Sequence, residues 1–395
     1  MSSESQVDLF DHHQTQQLWE TMRKWRREAP VNRPYPGYVY VARWLDCWEV
    51  LRDPRTFSNA NGLKSVEVPE EERSLGEMDP PRHTLLRRIV RSGFTRRDVT
   101  AREHFTRETA DELLSGIAAQ GSAELVSEFT DQLPNYVSLD LMGFPKADAR
   151  RVVVWSRELL HSTWPETNRT ERGEGLAGAF PEFSGYIDAL SEERSRPGAA
   201  DGIVTRLAKA DVGGARPSQI VLRTLIAQII LGGISTSTNL IGSMLYRLLR
   251  DPVLHEKLRD DSSLVSAFVE ESLRIDPPVL FVIRNCTAKT KIGGVSIEPG
   301  ERVVVGIASA NRDEDVYDDP DVFRLDRGIP RHLAFAGGTH LCVGAGLARM
   351  VAREAVLAYL RHFDVGAMEL VPGFRWSGVP VFLEYGPERL DVSIR

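Results

Sequence analysis

The chain has 395 residues, 42% of them hydrophobic and 27% charged, with 49 Lys and Arg against 56 Asp and Glu, a net charge of −7. That composition is globular and leaves no general basic field for a nucleic-acid partner. The three cysteines, Cys47, Cys286 and Cys342, are far apart and odd in number, which argues against a disulfide framework or a paired-cysteine zinc site and suits a reducing cytoplasm.

Residues 1–8 are polar and acidic, without the basic start and apolar run of a signal peptide. Residues 38–42 alternate as a strand and residues 44–51 have helical spacing, stopping at Asp53-Pro54. A small sheet at the edge of a helical body is expected. Residues 57–76 are polar, hold Pro and Gly, and lack a period, which predicts a mobile loop of the kind that carries ligand contacts. A helix then opens at Asp79-Pro80-Pro81, with Asp79 as its expected cap. His83 and Arg87 stand four apart on one face, a pair that suits clamping an anion or simply forms a solvated basic face. Arg88 and Arg91 lie off that face and suit a docking surface for an acidic partner.

From 102 to 157 helical patterns follow one another, broken at Gly121 and at Gly143-Phe144-Pro145. Residues 161–186 are less regular and hold His161, Trp164, Phe180, Phe183 and Tyr186, aromatics that either cover a pocket or fill core. The longest helix is predicted from Pro217-Ser218-Gln219 to Arg250, roughly 50 Å at 1.5 Å per residue. Within it residues 224–246 carry no charge and are long enough to span a bilayer, but the polar patch at 232–239 would be costly in hydrocarbon, so a buried helix of a soluble protein is expected. Gly232, Gly233 and Thr236 share a face, and the Thr236 hydroxyl is placed to reach the Gly232 carbonyl, opening a gap beside the helix. Ser235, Ser237 and Thr238 add further hydroxyls.

Glu271 and Arg274, three apart on the next helix, read by themselves as a surface ion pair. Residues 277–284 form an apolar extended run ending in Arg284. Strand patterns follow at 291–292, 295–297 and 302–305, the first two joined by Gly293-Gly294. Near the end, residues 376–382 read as a hairpin reaching toward the pocket.

Residues 335–349, Phe-Ala-Gly-Gly-Thr-His-Leu-Cys-Val-Gly-Ala-Gly-Leu-Ala-Arg, lead into a strongly helical run. Cys342 thus sits at a helix entrance, where unsatisfied N–H groups and the helix dipole favour thiolate. Gly337, Gly338 and Gly344 remove side chains where the backbone must turn tightly and let a flat ligand approach the sulfur closely. One thiolate on an open face suits a haem iron better than zinc, which takes three or four protein ligands. A dinucleotide fingerprint at Gly344-Ala345-Gly346 fails, because Arg349 holds its third glycine position and no strand pattern precedes it. The spacing Phe335-x-x-Gly338-x-x-x-Cys342-x-Gly344 would arise by chance in on the order of one chain in a thousand.

This segment resembles the proximal haem-binding loop of the cytochrome P-450 family, with Ala336 where that family most often has glycine. The resemblance covers nearly the whole chain. It implies a mainly α fold with a small β region, one domain over residues 1–395, and a long central helix across the haem. It implies Cys342 as the axial iron ligand, propionates met by His83, Arg87, Arg284 and His340, and a cradle that includes Phe335, Gly338 and Gly344. Gly232, Gly233, Ser235 and Thr236 are similar to the family's oxygen-activating motif, but Ser235 holds the position of its acid, which puts the usual proton route in question. Glu271 and Arg274 are similar to the family's Glu-x-x-Arg pair, with Arg327 as the arginine that joins it. Val279, Leu280, Phe281, Val282 and Val379 would line the substrate pocket, under a lid at 161–186. The implied cofactors are haem b, held without a covalent link since no Cys-x-x-Cys-His is present, dioxygen, and electrons from NAD(P)H through a ferredoxin and its reductase in the cytoplasm. The expected reaction is oxidation, such as hydroxylation, of a small hydrophobic or aromatic molecule in secondary metabolism or catabolism. Ser235 leaves open oxidative coupling of aromatic rings, peroxide-driven oxidation or nitric oxide chemistry. A non-catalytic haem-thiolate sensor is the alternative of a different class.

Overall fold

The computed structural model describes residues 8–9, 11, 15–60, 69–163, 175–212, 214–381 and 383–395. Its axis is the helix Gln219–Arg250. The Ser218 hydroxyl accepts from the Val221 N–H at 3.4 Å to start it, and Pro252, which cannot continue the ladder, follows its end at Asp251. Leu225, Ile226, Ile230, Ile234, Ile241 and Leu245 are all buried in the largest core cluster. Among the described residues this is the one helix long and apolar enough to cross a membrane, and here it is packed into protein. Helices Glu103–Ala118, Gln132–Met142, Val265–Ile275 and Ala345–His362 share that core. The break expected at Gly143 is a left-handed residue, φ 81°, whose N–H returns to the Leu139 carbonyl at 3.0 Å.

The main sheet has five strands in the order Val31–Tyr35, Tyr38–Val41, Arg302–Val305, Val282–Cys286, Phe57–Ser58. Tyr38–Val41 runs parallel to Arg302–Val305, and Val282–Cys286 runs antiparallel to the same strand with Arg284 opposite Val303. The strand period of two separates its faces: Val39, Val41, Val303 and Val305 pack with Leu333 on one side, while Tyr40, Ile283 and Val304 pack with Phe281 on the other. Arg284, one residue past Ile283, therefore shares the face that carries Leu333 and, at its margin, Ala336. The turn between Thr290–Ile292 and Val295–Ile297 has Gly293 at φ 52° and Gly294 at φ 81°. A mainly helical fold with a small β part is what the sequence suggested.

Two local expectations are corrected, and one left open is decided. The stretch 57–76, where described, is tethered rather than loose: Phe57 and Ser58 join the sheet, and buried Leu75 donates its N–H to Gln228 Oε1 of the central helix at 2.6 Å. Asp79 does not cap the next helix, Arg82–Arg91; its carboxylate accepts from the Ser58 hydroxyl and from the Asn59 N–H at 3.0 Å. Phe183 is fully buried edge-on to Trp155, and Tyr186 stacks on Phe144, so these aromatics fill core. His161 and Trp164 lie outside the residues whose side chains are described.

Candidate functional site

A cavity of about 400 Å³ is walled by the central helix, the helix Arg82–Arg91, the strand entrance at 278–284 and the loop at 334–344. Cys342 lies in that last wall, deep in the molecule yet with its surface open to the cavity. Its N–H donates to the Phe335 carbonyl at 2.9 Å, closing the loop, and the Gly344 and Ala345 N–H groups at the head of helix Ala345–His362 face the sulfur. In the chain alone burial pushes the thiol up, and the opposing pull of Gly344, Arg87 and Arg349 is smaller. The expected preference for thiolate is thus corrected for the chain alone: the helix terminus lowers the pKa in direction, but desolvation outweighs it.

Of the two roles expected of the loop glycines, the tight turn is present at Gly338, while ligand clearance is not what Gly337 and Gly338 supply. A Cβ on Gly337 would lie 2.3 Å from the Trp48 ring, and one on Gly338, at φ 62°, 2.3 Å from the Leu51 carbonyl. Both serve close packing of the loop on helix Trp44–Arg52, not clearance for a ligand. Only Gly344 has ordinary room around it, with Cys342 Sγ at 3.9 Å. Ala336 is left-handed at φ 55°, in the slot where glycine would be unstrained.

The four predicted basic residues come together at the cavity. His83 and His340 have ring centroids 4.1 Å apart, and Arg87 donates to the Leu341 carbonyl. Arg284, buried, donates to its neighbour Ile283 at 2.9 Å. Both His83 ring nitrogens and His340 Nε2 are buried without a hydrogen-bond partner, and among the described residues no carboxylate forms an ion pair with Arg87 or Arg284. Burial depresses all three, His83 to about 4, His340 to about 3 and Arg284 to about 10; neighbouring cations add to this for the two histidines, and Asp79 partly offsets it for His83 and Arg284. An anionic ligand would relieve all three effects at once.

On the central helix Thr236 donates its hydroxyl to the Gly232 carbonyl at 2.8 Å, as the spacing suggested, and both line the cavity with Gly233. Ser235, half-buried and next to the cavity-lining Thr236, is itself outside the lining. Its hydroxyl lies 2.9 Å from Glu384 Oε1 and 3.4 Å from the Leu231 carbonyl. Asn239 donates to Glu384 Oε2 at 2.7 Å. Burial pushes the Glu384 carboxyl up to about 7, against the lowering by Ser235 and Asn239.

The pocket set is partly corrected. Val279 and Val282 line the cavity, joined by Ile283, Ile229 and Leu240. Leu280 and Phe281 are fully buried in the separate core behind the sheet, and Val379 lies off the cavity. An extended chain cannot turn every residue to one side. The hairpin near the end is present, with Val379 N–H on the Gly386 carbonyl at 3.1 Å, but it carries Glu384 against the central helix instead of lining the pocket. Phe382 lies outside the described residues.

Behind the cysteine helix, Glu271 is gripped by Arg274 through two bonds of 2.8 and 2.7 Å and by Arg327 Nε at 3.1 Å. Arg274 is wholly buried and also donates to the carbonyls of Asn311, Pro320 and Val322. The sequence reading missed two groups. Glu270 binds His332 at 3.1 Å and Arg349 at 2.5 and 3.0 Å, tying the cysteine helix to its neighbour. Glu384 is the other; its only signal was the missing acid at Ser235, since nothing near residue 384 marks it.

The family model for cytochrome P450 matches residues 164–373. The chain is 34% identical to a cytochrome P450 of Bacillus subtilis (strain 168), over 95% of this chain and 93% of that protein. It is 29% identical to the polyketide biosynthesis cytochrome P450 PksS of the same organism, over 95% of each. Among solved structures, a mutant of P450 EryK in complex with erythromycin B superposes with a TM-score of 0.86 at 28% identity, covering 97% of each chain.

Proposed function

The chain belongs to the cytochrome P450 family, and from that premise we propose that it oxidises a hydrophobic small molecule in bacterial secondary metabolism at the cavity bounded by Cys342 and Thr236. Members of the family are monooxygenases that use haem b, dioxygen and electrons from NAD(P)H passed through redox partners. The observation that carries the reading is one cavity joining a single open thiol to four basic side chains that, among the described residues, form no ion pair with a carboxylate.

These residues fit an iron porphyrin. Cys342 would ligate its iron, and His83, Arg87, Arg284 and His340 would hold its propionates, which answers the unpartnered nitrogens of the two histidines. When bound, the haem supplies dioxygen activation and transfer of one oxygen atom to the substrate. The chain supplies placement. Thr236 holds a hydroxyl at the helix face beside Gly232, which bears no side chain and has open space at its Cβ position. Val279, Val282, Ile229 and Leu240 give an apolar wall that favours an apolar guest and excludes water. Gln228 and Asn59 add polar groups able to orient it. The Glu271 cluster holds the fold behind the cysteine helix, and residues 1–395 act as one domain in the cytoplasm.

Arg87, Arg88 and Arg91 with Thr84, Thr95 and Thr339 line a surface hollow on the outer side of helix Arg82–Arg91. This basic patch suits a ferredoxin, fed in turn by its reductase. The guest reading draws on relatives named for polyketide biosynthesis and for vitamin D(3) 25-hydroxylation, and on the erythromycin B complex.

Two measurements test the proposal. A reduced carbon monoxide spectrum that is the same in Cys342→Ser as in the parent would remove the thiolate reading. Spectral titration with macrolide, sterol and aromatic compounds, followed by turnover of the binders with labelled dioxygen, identifies the reaction. Label in the product supports oxygen insertion. Unlabelled product with two rings joined points to the coupling chemistry that Ser235 leaves open.

A further inference from the structure

We propose that Glu384 holds the proton that Ser235 lacks: a carboxylic acid on the C-terminal hairpin, acting through the Ser235 hydroxyl, replaces the acid expected at position 235. The inference rests on the reading of Thr236 and Gly232 as the dioxygen-handling face of a haem-thiolate site.

The carboxyl is built into its place. Asn239 is one turn beyond Ser235, so the two side chains present adjacent donors on one helix face. Residues on either side of Glu384 are pinned to the strand entrance, by Leu280 N–H on the Leu383 carbonyl at 2.8 Å and Tyr385 N–H on the Pro278 carbonyl at 3.0 Å. The hairpin then presses on the central helix closely enough that a Cβ on Gly386 would lie 2.6 Å from Asn239, and one on Gly242 2.7 Å from Pro387. No flexible surface acid would need such seating.

The chemistry of the two partners decides where the proton sits. The Asn239 amide nitrogen only donates, so Oε2 must accept from it. Oε1 is left to carry the acid hydrogen, and it faces Ser235 Oγ at 2.9 Å. A hydroxyl both donates and accepts. With Glu384 protonated, Oε1–H donates to Ser235 Oγ, whose own hydrogen turns to the Leu231 carbonyl at 3.4 Å. When Ser235 releases its proton toward water beside Thr236, it takes the Glu384 proton in the same step. Ser235 ends unchanged, and Glu384 ends as a carboxylate held by two donors until solvent returns the proton. Reduction of dioxygen to peroxide consumes two electrons and two protons, and to water four of each. The electrons come through the redox partners and the protons pass one at a time along this route. Among the described residues the groups facing the carboxyl are Ser235 and Asn239, with no charged side chain adding to its balance, and burial brings its pKa to about 7, where a donor works at neutral pH.

The test uses the haem-loaded protein in three forms: parent, Glu384→Gln, and Glu384→Gln combined with Ser235→Asp. Infrared difference spectra between about pH 5 and pH 9 should show a carboxylic-acid carbonyl band titrating near neutrality in the parent and absent from Glu384→Gln. Substrate-free NADPH oxidation through a ferredoxin and its reductase should give mostly water in the parent. In Glu384→Gln it should shift toward peroxide, with water formation slowed about 100-fold. The added aspartate should restore water formation, with its pH dependence moved to lower pH. A band that persists in Glu384→Gln overturns the proposal, as does unchanged peroxide yield. Failure of the aspartate to restore water formation in a spectrally normal protein also overturns it, because the carboxyl is then only structural. If the parent shows no cysteinate-type carbon monoxide spectrum, the haem-thiolate reading fails instead, and the infrared result still reports whether Glu384 is protonated.

Discussion

Two clusters of basic side chains, one around Glu271 and one at the cavity, are finished to different degrees. Around Glu271 every requirement is met: all five N–H groups of Arg274 are donated, two to the carboxylate and three to the carbonyls of Asn311, Pro320 and Val322. Arg327 and the Arg324 N–H add 3.1 and 3.0 Å bonds to the same oxygen. Around the cavity, among the described residues, His83, Arg87, Arg284 and His340 form no ion pair with an acid, and three ring nitrogens have no partner. A cluster complete in the chain alone is a structural joint, while one whose cations lack an anion is half of a binding site. The same residue types therefore carry opposite expectations when substituted.

The largest expected effect tests the closed side. Arg274→Met leaves Glu271 and three carbonyls short of donors in a dry interior and is expected to cost about 3–5 kcal/mol. Arg274→Lys should recover little of it, because an ammonium has three donors and no fork. Urea unfolding of the chain without haem reads both. Equal stability of Arg274→Met and parent would show that the joint is not what holds this region.

Glu384 lies between the two types, with two partners but neither of them charged. Its carboxyl is moved from 4.5 to about 7, chiefly by burial. The folded chain thus keeps a proton that the unfolded chain releases, and stability should fall as pH rises from about 4.5 to 7 and level off above that. The fall is on the order of 3 kcal/mol. Glu384→Gln should remove most of it, which thermal melts of the haem-free chain across that range would show. A parallel decline in the variant would assign the pH dependence elsewhere.

The open cluster should behave in reverse. Arg284→Gln removes a buried cation that lacks an acid, so the haem-free chain should become more stable by about 1 kcal/mol. The loaded protein should lose haem to a scavenging apoprotein roughly 10-fold faster, equivalent to about 1.4 kcal/mol. Opposite signs in the two states are the mark of a half-built site. Matching signs would make Arg284 another structural arginine.

What the sequence revealed follows from the range over which each signal acts. The Phe335–Cys342–Gly344 spacing, the Gly232–Thr236 back-bond and the Glu271–Arg274 pair are local, set within one loop or one helical turn, and all three were readable. Partners from distant segments were readable only through the family resemblance, as with Arg327, 56 residues from Glu271. Glu384 is 149 residues from Ser235 and had no pattern of its own. The apolar run at 279–282 was visible as apolar, but which residues face the cavity depends on how the sheet pairs, so Leu280 and Phe281 were misplaced. The cysteine loop shows the same limit in miniature. Its glycines are legible as glycines, and only the packed structure shows that Trp48 and the Leu51 carbonyl, rather than a ligand, leave no room for a side chain.

That loop also gives the smallest test, on a residue that belongs to neither cluster but connects them. Ala336 follows Phe335 and precedes Gly337, holding φ 55° with a Cβ that disfavours this conformation by about 1–2 kcal/mol. Ala336→Gly relieves that strain but gives the unfolded chain more freedom, by roughly 0.5–1 kcal/mol. The net should be a gain of about 0.5 kcal/mol in the haem-free chain, small but of definite sign. If the strain is only a local defect, haem affinity should not change. If Ala336 stiffens the loop that presents Cys342, the glycine variant should gain stability yet lose haem slightly faster, and the two measurements together separate a strained position that is merely tolerated from one that preorganises the thiol.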